Sequence, residues 1–215
     1  MRSIIILGLA FAPALLAAPE PATAATPAEA FVEANIQTGL AILQDKNLSE
    51  TDRRTRVHDF LLALLDTRRI GLYALGPAQK SASPADLDAY IDAFRDFMVA
   101  SYVSRLSGYD GQTLNVTGSV EHGPGDYVVS AQLADPSDPP GSAPLPEIDL
   151  RVVDENGKFF VVDASIEGIW LAVAQHDDFG GFLKQHDGNV AALTAYLKEM
   201  TTKLLAPPGA AAPTH

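Results

Sequence analysis

The stretch QTLNVTGSVEHGPGDYVVSAQL, residues 112–133, and its continuation EIDLRVVDENGKFFVVDASI, residues 147–166, decide the fold. Upstream, apolar residues recur at helical spacing. Here the period drops to two and β-branched residues dominate. Gln112–Val120, Tyr127–Leu133, Glu147–Val153 and Lys158–Ile166 therefore predict four strands. Gly123-Pro124-Gly125-Asp126 and Asp154-Glu155-Asn156-Gly157 separate two of the pairs as hairpin turns. Links this short require antiparallel neighbours, so the strands form a meander. Residues 135–146 are rich in proline, carry no packing pattern and predict a loop.

Working outward, helices flank the strands on both sides. Thr26-Pro27-Ala28-Glu29 supplies a cap, a proline at the first helical position and an acid in the first turn, opening a helix to Gln44. Ser49, with Asp52 three residues on, opens a second to Asp66. A short third helix spans Asp66–Leu75 and ends at Gly76-Pro77. The most regular one runs from Pro84 to Leu106, with Leu87, Ile91, Phe94, Met98, Tyr102 and Val103 at helical spacing. After the strands, Asp177–Lys184 and Val190–Leu204 predict two more. Helices, strands, then helices make an α+β domain. It is expected over residues 25–205, followed by an Ala/Pro-rich tail over 206–215.

The first 24 residues read as a cleavable secretory signal. Arg2 is its positive start, Ile4–Leu16 its apolar centre, and Ala22-Thr23-Ala24 its small-x-small cleavage pattern. The apolar run is shorter than the roughly 20 residues that span a bilayer. The expected location is the periplasm. Net charge is −12, and because Arg2 and Glu20 cancel, cleavage leaves it unchanged. Such a surface repels nucleic acid and does not dock passively on anionic lipid. With no cysteine in the chain, disulfides, thiol catalysis and cysteine-bound zinc are excluded.

Catalytic constellations are missing. There is no nucleophile elbow, zinc-protease helix or nucleotide-binding glycine pattern. The five histidines do not pair at metal-site spacing, and His176 beside Asp177 and Asp178 is the best of them. No metal or cofactor is expected. Asp163, which interrupts the run Phe159-Phe160-Val161-Val162, has two readings: a carboxylate bonded to backbone or arginine near a strand end, or a catalytic acid in a cavity. Arg53, Arg54 and Arg56 read as a solvated face of the second helix, or else as a docking patch.

Four stretches resemble the MlaC/toluene-tolerance family of periplasmic phospholipid-binding proteins. These are DTRRIGLYALG (66–76), YIDAFRDFMVASYVSRL (90–106), GKFFVVDASIEGIWL (157–171), and Asp178-Phe179 with the helix to Leu197. Their order and spacing carry the likeness over residues 27–203. The chain departs from the family at Pro77-Ala78-Gln79, where a Trp is common, and at Trp170, where Ser is common. The implied cargo is therefore a phospholipid or, through the family's hopanoid-associated branch, a hopanoid.

The resemblance implies a curved antiparallel four-stranded sheet wrapped by helices in a cone-shaped, NTF2-like arrangement that encloses an apolar lipid pocket. The residues expected to line it are Leu72, Leu75, Phe94, Met98, Tyr102, Leu150, Phe160, Val162, Ala164, Ile166, Trp170 and Phe179. Strict alternation would place Phe160, Val162, Ala164 and Ile166 on one face. The implied role is a non-enzymatic carrier between the inner and outer membranes. Its implied partners are an inner-membrane ABC transporter with an MCE-type subunit and an outer-membrane lipoprotein complex. On the residues alone, a cavity enzyme using Asp163 and a protein adaptor using the Arg53–Arg56 face remain the alternatives.

Overall fold

A computed structural model describes residues 24–106, 108–139, 141–143 and 145–206. The expected signal segment, apart from Ala24, and the expected tail, apart from Ala206, lie outside the described residues. The architecture is α+β. Helices α1 (Pro27–Gln44), α2 (Glu50–Leu64), α3 (Thr67–Leu75) and α4 (Pro84–Leu106) precede strands β1 (Thr113–Gly123), β2 (Asp126–Ala134), β3 (Glu147–Glu155), β4 (Lys158–Ile166) and β5 (Ile169–Trp170). Helices α5 (Leu171–Gln185) and α6 (Val190–Leu205) close the chain. The strands form one open, curved antiparallel sheet in the order β1-β2-β3-β4-β5. The short β5 adds a fifth strand to the four expected.

Local chemistry explains the boundaries. The Thr26 hydroxyl accepts from the Glu29 amide at 3.1 Å while the Glu29 carboxylate accepts from the Thr26 amide at 3.1 Å, a reciprocal cap for α1. Glu29 and Thr26 also bond Ser119, which ties this helix end to β1. Asn156 and Gly157 both have positive φ (58° and 85°), the geometry of the tight turn between β3 and β4. The outer edge of β4 is covered partly by β5 and partly by the α2–α3 junction, where the Asp66 amide donates to the Val161 carbonyl at 3.1 Å. Covering an edge removes a template for pairing with other chains.

The helices build their own core. Leu75, Tyr90, Phe94, Met98, Phe179, Leu193 and Leu197 are buried together where α3, α4, α5 and α6 meet. Phe179 stands edge-on to both Tyr90 and Phe94, with centroids 6.5 and 6.2 Å away. Helices α3 and α4 approach closely at Gly71: a Cβ there would stand 2.8 Å from Phe94 Cδ1. The Tyr90 hydroxyl donates to the Gly71 carbonyl at 3.0 Å. A second cluster joins Val129, Val152 and Val161 of the sheet to Ala28 and Val32 of α1.

One irregularity sets which strand residues face where. Arg151 pairs with Asp163 but Val152 pairs with Val161, so Val162 is an extra residue in β4. This bulge breaks the alternation expected from the sequence. Beyond it, Ala164 lies opposite Leu150 and Ile166 opposite Ile148. Leu150 packs with the α1 cluster, so Ala164 and Ile166 share the α1-side face. Phe160 lies opposite Val153 on the other face, and Val162 goes with it. The expectation that these four residues share one face is corrected: a bulge of one residue inverts every position after it.

Candidate functional site

Two clefts meet at the first turn of α5. The larger, about 620 Å³, lies between α3, the face of the sheet opposite α1, and the start of α5. Its apolar lining comes from Ile70, Tyr73, Val128, Val153, Val162, Trp170, Ala172 and Val173; Arg69, Asp126, Arg151 and Asp163 add charge and His122 an imidazole. The second, about 570 Å³, lies between α4, α5 and α6. Phe97, Met98, Tyr102, Phe179, Phe182 and Tyr196 are among its walls, with Arg105 and Asp178 as its charged groups. Leu171 faces the second cleft and Ala172 the first, so the opening residues of α5 form the partition.

Asp163 holds that partition in place. Trp170 occupies the N-cap position of α5 but makes no side-chain cap. Instead Asp163 Oδ1, on β4, accepts from the Ala172 amide at 2.9 Å and from the Ala164 amide at 2.8 Å. A carboxylate here also suits the positive end of the helix. Burial pushes the Asp163 carboxyl above its ordinary range, against the pull of the two amides and of Arg151. The Tyr102 hydroxyl is pushed up to about 12, chiefly by burial and then by the charge of Asp163. Of the two readings of Asp163, the geometry displays the backbone-bonded one.

Across the cleft, Arg151 donates to both oxygens of Asp126, at 3.0 and 2.6 Å. That fork holds the Asp126 carboxyl below its usual range, assisted more weakly by His122 and Arg69. Arg69 Nη2 lies 2.9 Å from Glu155 Oε1 at the outer margin. On the same face of the sheet, two residues further along the strands, Ser130 and the fully buried Ser165 donate to the two oxygens of Asp149, at 2.6 and 3.0 Å.

The twelve expected lining residues divide between clefts and core. Val162 and Trp170 line the larger cleft. Met98, Tyr102 and Phe179 line the smaller one, although Met98 and Phe179 are also buried in the helical core. Leu75 and Phe94 lie wholly in that core, with Leu72 packed against it. Leu150, Ala164 and Ile166 are on the other side of the sheet, and Phe160 lies under the Lys158 ammonium, 4.5 Å from the ring centroid. The expected pocket was an apolar cavity; the walls of the larger cleft also include charged side chains. Its Arg69, Tyr73, His122, Asp126 and Arg151 were not singled out from the sequence.

The family model described as MlaC protein matches residues 33–199. The chain belongs to the MlaC protein family. The structure is also similar to that of a phospholipid-binding protein from Ralstonia solanacearum, solved in complex with a phospholipid. The two share 20% sequence identity, the match covers 84% of this chain and all (100%) of that one, and the TM-score is 0.71. This likeness is one of fold. Among the described residues of this MlaC family member, no helix is long and apolar enough to cross a membrane. No group of three metal-ligating side chains occurs among them either. His176, the best metal candidate in the sequence, instead donates through Nδ1 to the Tyr73 carbonyl at 2.9 Å.

Proposed function

We propose that the protein is a periplasmic lipid carrier. It binds a phospholipid or hopanoid between the sheet and its helices and shuttles it between the inner and outer membranes. The observation that carries this reading is the pair of clefts flanking the first turn of α5, in a fold shared with a structure that holds a phospholipid. The secretory pattern of residues 1–24 supports the compartment.

The energetics make such a carrier necessary. A two-chain lipid has on the order of 30 methylenes, each costing ~0.8 kcal/mol in water. Unaided passage across an aqueous space therefore faces a barrier of roughly 24 kcal/mol. The charge of −12 disfavours spontaneous docking on anionic membranes. Collection and delivery are accordingly assigned to protein partners, an ABC transporter with an MCE-type subunit at one membrane and a lipoprotein complex at the other. Asp163 serves as a structural cap and not as a catalytic acid, because its Oδ1 is engaged by two backbone amides.

Native mass spectrometry of protein purified gently from the envelope tests the reading. The expected spectrum shows the chain with one bound lipid, whose mass distinguishes phospholipid from hopanoid. Lipid-free protein that takes up nothing from vesicles would overturn it.

A further inference from the structure

The larger cleft has charges of both signs on otherwise apolar walls. Arg69 projects from α3 and Arg151 from β3, while Asp126 and Asp163 present carboxylates from β2 and β4. An acyl chain laid over these groups would strip their water and offer no hydrogen bond in return. A polar headgroup can replace that water. Arg69 is a ready donor, because its bridge to Glu155 joins side chains 48% and 44% exposed and is worth little. A phosphodiester can accept from such guanidinium groups in a forked geometry.

The carboxylates decide which kind of headgroup fits. A purely anionic one would place its charge beside Asp126 and Asp163 in a protein already at −12. An ammonium on the same ligand turns that repulsion into attraction. Tyr73 and Trp170 also line the cleft, and aromatic rings attract cations. Resting on the carrier reading above, we propose that this cleft is a headgroup site selective for zwitterionic phospholipids. The phosphate turns toward Arg69 and Arg151 and the ammonium toward Asp126.

Competition from mixed vesicles tests this. Delipidated full-length protein is incubated with vesicles of equimolar phosphatidylethanolamine and phosphatidylglycerol with matched chains, re-isolated and extracted. The bound lipid is expected to be enriched about fivefold in phosphatidylethanolamine, the scale of one solvent-accessible ion pair. Asp126→Asn should bring the ratio toward one. Arg69→Gln, at an exposed position that folding tolerates, should lower the uptake of both. Equal uptake of the two lipids, or an excess of phosphatidylglycerol, overturns the headgroup site and leaves the carrier standing. No uptake of either lipid overturns the headgroup site and the phospholipid form of the carrier reading, and leaves only a hopanoid cargo standing.

Discussion

Asp163 on β4 caps α5 from a distance: its Oδ1 accepts from the Ala172 amide at 2.9 Å, while Trp170 at the cap position contributes no side-chain bond. The partition between the two clefts therefore depends on a residue of the sheet. Asp163→Ala should destabilise the protein by about 1 kcal/mol, the usual cost of a lost cap. For a chain of this size that is about 2–4 °C in Tm. Asp163→Asn keeps an acceptor and should lose less. Thermal unfolding of delipidated protein measures both, and an unchanged Tm in the alanine variant would refute the capping role.

Two carboxyls in the cleft should give opposite pH signatures. Asp163 is raised in the folded protein, so the folded state holds its proton longer than the unfolded chain does. Its contribution to stability is therefore complete at low pH and declines as pH rises from about 3.9 through the higher folded value. Asp126 is lowered, so its contribution is present above about 3.9 and is lost as pH falls through the folded value. Relative to wild type, Asp163→Asn should gain stability as pH rises across this range. Asp126→Asn should gain as pH falls. Denaturant midpoints measured across the acid range read out both slopes, and like signs would contradict the assignments.

Gly71 is required by the approach of α3 to α4. An added Cβ would stand 2.8 Å from Phe94 Cδ1 and 3.2 Å from Ile91 Cδ1. Alanine gains about 1 kcal/mol in helix propensity over glycine. Overpacking of about 1–3 kcal/mol opposes it, because Phe94 is fully buried and must shift within a packed core. Gly71→Ala should therefore lower the denaturant midpoint, and Phe94→Leu in the same chain should recover part of the loss. A stabilised single variant would show that the helices separate freely.

Phe179 should behave as a core residue first. Only 5% of it is exposed, and it packs edge-on to Tyr90 and Phe94. Phe179→Ala should cost about 3–5 kcal/mol in unfolding free energy even without lipid. A variant that keeps wild-type stability and loses only lipid would return Phe179 to a purely cargo-facing role.

The bulge in β4 puts Val162 and Ala164 on opposite faces of the sheet. Val162 lines the larger cleft, while Ala164 is on the opposite face of the sheet. Val162→Trp should reduce the lipid recovered per folded chain, and Ala164→Trp should leave it near wild type. Extraction of both variants after loading from the same vesicles makes the comparison. The reverse order would place the cargo on the α1 side of the sheet.

Much of the framework was legible because its signals are local. Thr26, Ser49 and Asn189 each accept from an amide three residues on, and helices begin at all three. The Asn156-Gly157 turn was visible for the same reason. The start of α5 was expected at Asp177 but lies at Leu171, because its cap is supplied from β4 by Asp163, nine residues before Ala172, and not by a residue at the cap position. The bulge at Val162 was hidden in a uniformly apolar run with no glycine to mark it. The charged wall was missed because Arg69, Asp126 and Arg151 come from three elements. The one local hint was a charged Arg151 between Leu150 and Val152, opposite Asp163.

Trp170 is the chain's one tryptophan, and it stands in the wall of the larger cleft. The protein thereby has an intrinsic optical reporter at the place where cargo is proposed to rest. Replacing water beside the indole with lipid changes the surroundings to which its fluorescence responds. Loading and unloading can thus be timed in a stopped-flow instrument on the wild-type chain, without a dye.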